Sequence, residues 1–248
     1  MPNLSLSRRT SALAVACVVG LAALDPLAAP TLAQVAAVAP GRPAADIAQD
    51  AARKPGMMVK FARIKRGQTV VEILPGAGYF TRIFSNVVGP KGKVIAVATR
   101  DSEELRALAA EPERRNVALS VGALGDLAPA GSADVVWTSR NYHDLKGPKA
   151  PAGAAETVNK AAFAALKPGG YYVVLDHSAA AGSGLRDVES LHRIDKEAVK
   201  AEVMAAGFVL DGESPLLANS KDDQTKPVFD PAVQGHTDQF VLRFRKPG

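Results

Sequence analysis

Residues Val70–Thr81 read VVEILPGAGYFT, and this stretch decides the fold. An apolar run carrying one carboxylate, Glu72, leads through Leu74-Pro75 into two glycines spaced G-x-G, Gly76 and Gly78. Aromatic and polar residues of helical character follow. The pattern predicts a buried strand, a tight glycine turn and the first turn of a helix. Unpaired N–H groups and the positive end of the helix dipole make such a start a docking point for a charged ligand.

Outward from this turn, strand and helix patterns alternate. Strands are predicted at Val70–Leu74, Lys93–Ala98, Val117–Val121, Ala133–Thr138, Tyr171–Leu175, Phe208–Leu210 and Gln239–Phe244. Helices are predicted at Tyr79–Val88, Asp101–Ala110 and Ala154–Leu166, with another opened by Asp195 and stopped at Gly207. Lys167-Pro168-Gly169-Gly170 is read as a turn into the fifth strand. Alternation of this kind predicts an α/β domain, a mostly parallel sheet with helices on both faces. Upstream, Ala44–Arg53 reads as a short helix stopped by Pro55-Gly56, and Met57–Ile64 as a second helical piece. The polar segment 214–238 is not read as a hairpin loop, and segments of that length tend to be lids or binding loops.

Composition narrows the function classes. The 248 residues are 47% apolar and 22% charged, which is ordinary for a globular chain. The formal net charge of +5 comes from Lys and Arg spread along the chain, with few aromatics for base stacking, so nucleic acid is not an expected partner. Arg8-Arg9 precede the apolar stretch Ser11–Leu24, and small residues follow up to Ala33. That is the layout of a cleavable export signal at 1–33, with a partial twin-arginine pattern, and no stable membrane span is expected after cleavage. Residues 34–56 then form a leader with a short helix, and 57–248 form the main domain. The single cysteine, Cys17, lies inside the signal, so disulfides and thiolate chemistry are not expected in the mature chain.

Polar residues gather after two strands. Arg140-Asn141-Tyr142-His143-Asp144 follows the fourth strand and Asp176-His177 ends the fifth. His143 is a candidate general base, with Asp144 setting its tautomer if the side chains converge. Arg140, Asn141, Tyr142 and His177 are candidate substrate contacts. In the alternative reading these side chains only cap the next segments. His192 and His236 have no second histidine or carboxylate at H-x-x-x-H spacing, so no metal site is expected. Neither a G-x-S-x-G elbow nor a phosphate-cradling G-K-[ST] is present, which excludes the usual hydrolase and P-loop readings.

Taken together, EILPGAGYFT, GKVIAVAT, SADVVWTSRNYHDL and ALKPGGYYVVLDH resemble the successive motifs of class I S-adenosylmethionine-dependent methyltransferases. The resemblance spans about Met57 to Lys246. With the signal segment, LHRID and KDDQTKPVFDP, the chain more narrowly resembles a group of predicted exported methyltransferases whose substrates are unassigned. It implies a Rossmann-like, doubly wound, seven-stranded sheet with the last strand antiparallel. It also implies S-adenosylmethionine across the C-terminal ends of strands 1, 2 and 4, and transfer of its methyl group to a small-molecule acceptor.

Three positions depart from the family pattern. Leu74 stands where the motif has its first glycine, Ala98 where an acid holds the ribose, and Ala123 where an acid lies near the adenine. Glu72, Gly76 and Gly78 carry over as cofactor residues, with Asp101 and Asp126 as substitutes for the two missing acids. These departures leave two alternatives: a noncatalytic exported ligand-binding protein on a degenerate methyltransferase fold, and a nicotinamide enzyme with Arg100 near a 2′-phosphate. The second is disfavoured because Thr81 stands where the dinucleotide fingerprint has its third glycine.

Overall fold

A computed structural model describes Met1 and residues 41–248. The expected signal segment beyond Met1, Cys17 and residues 34–40 of the leader lie outside the described residues. Among the described residues no helix is long and apolar enough to cross a membrane.

The seven strands are β1 (Thr69–Ile73), β2 (Lys93–Ala98), β3 (Val117–Val121), β4 (Ala133–Ser139), β5 (Leu166–His177), β6 (Val209–Ser214) and β7 (Gln239–Arg245). They form one sheet in the order β3-β2-β1-β4-β5-β7-β6. β1 to β5 are parallel, while β7 runs antiparallel between β5 and β6. The strand order reverses direction between β1 and β4, so a crevice opens beyond their C-terminal ends, where open α/β sheets bind ligands. The expected α/β class, strand number and antiparallel last strand are all found.

The helices are α1 (Ala44–Ile47), α2 (Asp50–Arg53), α3 (Pro55–Phe61), α4 (Tyr79–Val88), α5 (Glu103–Ala110), α6 (Ala154–Ala165) and α7 (Lys196–Ala205). Strand alternation sends side chains to two cores. Val71, Ile73, Val136, Tyr172 and Val174 pack with α6 and α7, whereas Val70, Val135, Trp137 and Val173 pack with α3 and α4. Trp137 is fully buried, with the rings of Phe80 and Phe84 against it at 4.8 and 5.3 Å. This aromatic block seats α4, and with it the glycine turn, on the sheet.

Several boundaries differ from the sequence reading: the helix expected over Ala44–Arg53 is two short ones, α1 and α2, and the sixth strand runs on to Ser214. Pro55 opens α3 instead of only ending the preceding helix: Lys54 adopts a left-handed conformation (φ 46°), and proline at a first helical position loses no hydrogen bond. α5 begins at Glu103, because the Ser102 hydroxyl accepts from the Leu105 N–H and caps it. β5 already starts at Leu166 and runs through Lys167–Gly170, with an irregular register opposite Ala133 and Val135. Residues 215–238 do close a hairpin, since β6 and β7 are consecutive antiparallel neighbours.

That long connection is pinned. Arg193 and Asp222, both fully shielded, form an ion pair at 2.8 Å, and Arg193 also donates to the carbonyls of Ser178 and Lys226. Asp222 and Asp238 in turn hold the backbone N–H groups of Asp238 and Asn219. The connection lies over the C-terminal edge of β5 as a fixed wall.

Candidate active site

The glycine turn is built on left-handed backbone at every second residue. Leu74, Gly76 and Gly78 all have positive φ, at 53°, 58° and 83°. For leucine this conformation costs about 1–2 kcal/mol. It is held on both sides, since the Leu74 N–H donates to Val97 O at 2.8 Å and Leu74 O accepts from Asn141 Nδ2 at 3.0 Å. The chain thus keeps a glycine-type bend at a position that is not glycine. A side chain on Gly76 would point into open space, whereas one on Gly78 would run into Leu108 at 2.3 Å. Gly76 therefore faces the crevice and Gly78 faces the core.

Glu72 lies under this turn on the α4 side of the sheet. It is buried, and its Oε2 accepts from Thr81 Oγ1 at 2.6 Å. Burial pushes its carboxyl up to about 8, against the opposing pull of Thr81 and Arg53, so it is a protonated, structural carboxyl at neutral pH.

The short leader helices cover the other side of the turn. The Tyr79 hydroxyl donates to Asp50 at 2.6 Å, Arg82 pairs with Asp46 at 3.2 Å, and the Arg53 guanidinium lies 4.4 Å from the centre of the Tyr79 ring. Arg140, also left-handed (φ 61°), donates to Gln239 Oε1 at 3.1 Å. Burial lowers its pKa to about 10, and the nearby charge of Arg53 acts in the same direction. Arg53, over the first residue of α4, and Arg140, just past β4, are thus near enough for their charges to act on one another, surroundings that suit an incoming carboxylate.

Beyond β4, a 3-10 turn over His143–Lys146 places His143 in the interior beside β5. Its Nδ1 donates to Asp176 Oδ1 at 2.8 Å and its backbone N–H donates to Asp176 Oδ2 at 2.8 Å. Asp176 is fully buried and also accepts from the His177 N–H. Burial works against a charge on His143, but Asp176, with Asp144 beyond it, holds the ring above the ordinary histidine pKa. The residue that fixes the His143 tautomer is therefore Asp176. Asp144 lies instead at the other ring nitrogen, with Oδ1 3.4 Å from Nε2.

His177 bonds Thr237 Oγ1 at 2.7 Å, and burial drives its pKa down to about 3, leaving it neutral. A hollow of about 480 Å³ opens at Thr237, between α2 and the 215–238 connection, lined in part by Lys54, Asp222, His236 and Gln239; neither His177 nor His143 lines it. A second hollow, near Arg66 and Asn116, lies at the N-terminal ends of β2 and β3, far from the strand-end loops.

The remaining expected residues separate. Tyr142 is turned into the core, where its hydroxyl accepts from Asn159 at 2.8 Å and donates to Glu202 at 3.0 Å. It anchors the turn and is not available to a substrate, which corrects that expectation. Asn141 clasps Leu74 and Ser139 with its amide. Asp101 is exposed and paired with Arg106 at 3.2 Å, and Asp126 is exposed on the turn after β3.

Arg53 is a site residue without a signal in the sequence, whereas Asp176 stands out there with His177 as a second candidate pair and finds a different partner in the structure. Asp176 ends the same strand as His177 and was visible as a pair partner; nothing in the local pattern tied it to His143, 33 residues earlier. His192 also enters: its ring stands 5.4 Å from that of His143, and its Nδ1 lies 3.7 Å from Asp144 Oδ1.

Comparison with known proteins agrees with the topology. Residues 44–124 match the sequence model of the protein-L-isoaspartate(D-aspartate) O-methyltransferase family. No curated protein sequence matches the chain. Among solved structures, an S-adenosylmethionine-dependent methyltransferase from Aquifex aeolicus is similar, with a TM-score of 0.56 and 18% identity over 77% of this chain and 89% of that one. The 1,6-didemethyltoxoflavin-N1-methyltransferase of Burkholderia thailandensis, solved with 1,6-didemethyltoxoflavin and S-adenosylhomocysteine, has a TM-score of 0.55 and 16% identity over 83% and 79%. The [4+2]-cyclase SpnF has a TM-score of 0.60 and 17% identity over 80% and 82%. The chain has the class I methyltransferase fold. SpnF, named for a different reaction, is a reminder that scaffold and chemistry are separable.

Proposed function

We propose that this protein is an S-adenosylmethionine-dependent methyltransferase acting on a small-molecule acceptor. The observation that carries the reading is the turn after β1. It keeps a left-handed bend at Leu74 despite the strain, and Asn141 locks it to the loop that presents His143. A strained conformation maintained by cross-loop bonding is typical of sites where geometry serves a ligand.

The residues fit the methionine half of the cofactor. Gly76 leaves the space that a side chain would fill, and Arg53 and Arg140 supply positive charge for a carboxylate. On the ribose side the fit rests on Asp101, which is exposed and would exchange its Arg106 partner for hydroxyl groups. When bound, S-adenosylmethionine supplies an electrophilic methyl group on a sulfonium. The protein positions the acceptor for in-line attack, which is where most of the acceleration arises. His143, oriented through Nδ1 by Asp176, presents Nε2 as the group that takes up the acceptor's proton.

A small acceptor is supported by the likeness to the Burkholderia thailandensis enzyme, whose structure holds 1,6-didemethyltoxoflavin. The isoaspartyl acceptor named for the matching family is not carried over, because that match ends at residue 124, before β4 and the polar loop. Arg8-Arg9 and the apolar Ser11–Leu24 support an exported setting.

The test is release of S-adenosylhomocysteine from the methyl donor across a panel of small O-, N- and S-nucleophiles. Turnover that His143→Ala lowers at least about 100-fold is expected from loss of a general base. Cofactor binding with no turnover on any acceptor class would favour the noncatalytic alternative.

A further inference from the structure

We propose that His143, Asp144 and His192 form a binding site for a single divalent transition-metal ion, of the zinc, cobalt or ferrous type. Among the described residues this is the one group in which three such side chains offer ligand atoms all within 4.8 Å of one another. Asp144 Oδ1 stands 3.4 Å from His143 Nε2 and 3.7 Å from His192 Nδ1. Metal–ligand bonds of about 2.0–2.1 Å in a tetrahedral site place ligand atoms about 3.3 Å apart, so the two contacts to Asp144 need a contraction of a few tenths of an ångström, and the two imidazoles, within 4.8 Å of each other, close by rotation of the partly exposed His192 side chain.

The surroundings are those of a metal centre and not of a chance ion pair. His143 cannot use Nδ1, which is committed to Asp176, so its Nε2 is the atom presented. A carboxylate on the far nitrogen of a ligating histidine fixes its orientation and raises its basicity. Asp176 is itself held by two backbone N–H groups, which makes the support rigid. His192 is left-handed (φ 53°), a conformation that brings its ring back from the loop after β5 toward the β4 loop, and the Phe229 ring packs on it at 4.9 Å. Asp144 and His192 remain partly exposed, which leaves coordination positions open to solvent.

Two imidazoles and one carboxylate favour a borderline transition metal over calcium or magnesium, which prefer all-oxygen sites. Metal binding requires only this geometry. Its role rests on the methyl-transfer reading: the ion would coordinate the acceptor's oxygen or nitrogen and lower its pKa. It would then occupy the Nε2 that the metal-free protein offers as a base, and the acceptor's proton would leave to solvent.

The experiment uses the full chain, dialysed against chelator and titrated with Co²⁺ while visible d–d absorption is recorded. The site predicts one equivalent of Co²⁺, displaced by Zn²⁺. Affinity should fall at least about 100-fold in His192→Ala and about 10- to 100-fold in Asp176→Asn, the effect of losing an outer partner. His192 is partly exposed, so circular dichroism of His192→Ala should match wild type. Absence of d–d bands, or Co²⁺ binding unchanged in both His192→Ala and Asp144→Ala, overturns the proposal. Calorimetry with S-adenosylhomocysteine on the same samples separates the two claims, since cofactor binding without Co²⁺ binding removes the metal site and leaves the methyl-transfer reading standing.

Discussion

The side-chain amide of Asn141 donates to the carbonyl oxygen of Leu74 across 3.0 Å, so the loop that ends β4 holds the turn that ends β1. The same amide donates to Ser139 O at 2.7 Å, and both bonds need the NH₂ group. Asn141→Ala should cost about 1–3 kcal/mol by leaving these carbonyls without their partner. Asn141→Asp should be worse than Ala, because it sets a carboxylate against two carbonyl oxygens. Urea titrations of the three proteins check the order, and an Asp variant as stable as wild type would contradict the clasp.

The two glycines should separate fold from binding. Gly78→Ala combines a positive φ with a collision against the buried Leu108 side chain, and a loss of about 2–4 kcal/mol is expected. Gly76→Ala meets only open space and should cost about 1 kcal/mol, while lowering cofactor affinity by filling the cradle. Paired thermal melts and ligand titrations decide this. Equal losses of stability would mean that Gly76 also faces the core.

Glu72 gives the stability a pH dependence of definite sign. Its folded pKa of about 8 lies above the ordinary carboxyl value of 4.5, so the native state keeps a proton that the unfolded chain releases. That contribution is fully present below pH 4.5 and is lost as pH rises toward 8, at up to about 1.4 kcal/mol per pH unit. Glu72→Gln, which can still accept from Thr81, should flatten the curve and be the more stable protein at pH 8.5. Denaturant midpoints at pH 5, 7 and 8.5 measure it, and parallel curves for the two proteins would refute a buried protonated carboxyl.

Arg193 should govern the wall over the site. Removing it leaves Asp222 buried and unpaired, with the Ser178 and Lys226 carbonyls also losing a donor. Arg193→Met is expected to cost about 3–5 kcal/mol. Limited proteolysis should then cut within 215–238 well before the rest of the domain. Cleavage at the wild-type rate would show that the connection is held by something else.

Periodicity made the sheet legible, because Val70–Ile73, Val94–Val97 and Val135–Trp137 have side chains buried on both faces and so read as continuous apolar runs. The ends of elements were less so. Pro55 reads equally as a stop and as a first helical residue, and only the left-handed Lys54 decides between them. Glu72, Gly76 and His143 were nameable from local pattern, since each sits at a strand end or turn. His192 was not, because its partners come from the turn beyond β4 and the pairing depends on a backbone conformation that short-range spacing does not encode. Tyr142 misled for the opposite reason: it sits in a polar run, yet the turn rotates it inward onto Asn159 and Glu202.

The most direct measurement is isothermal titration calorimetry of the protein with S-adenosylhomocysteine and S-adenosylmethionine, with Gly76→Val alongside. One site with micromolar affinity for both sulfur ligands is expected in wild type, abolished by Gly76→Val while the variant stays folded. No heat from either ligand at millimolar concentration would contradict a methyltransferase.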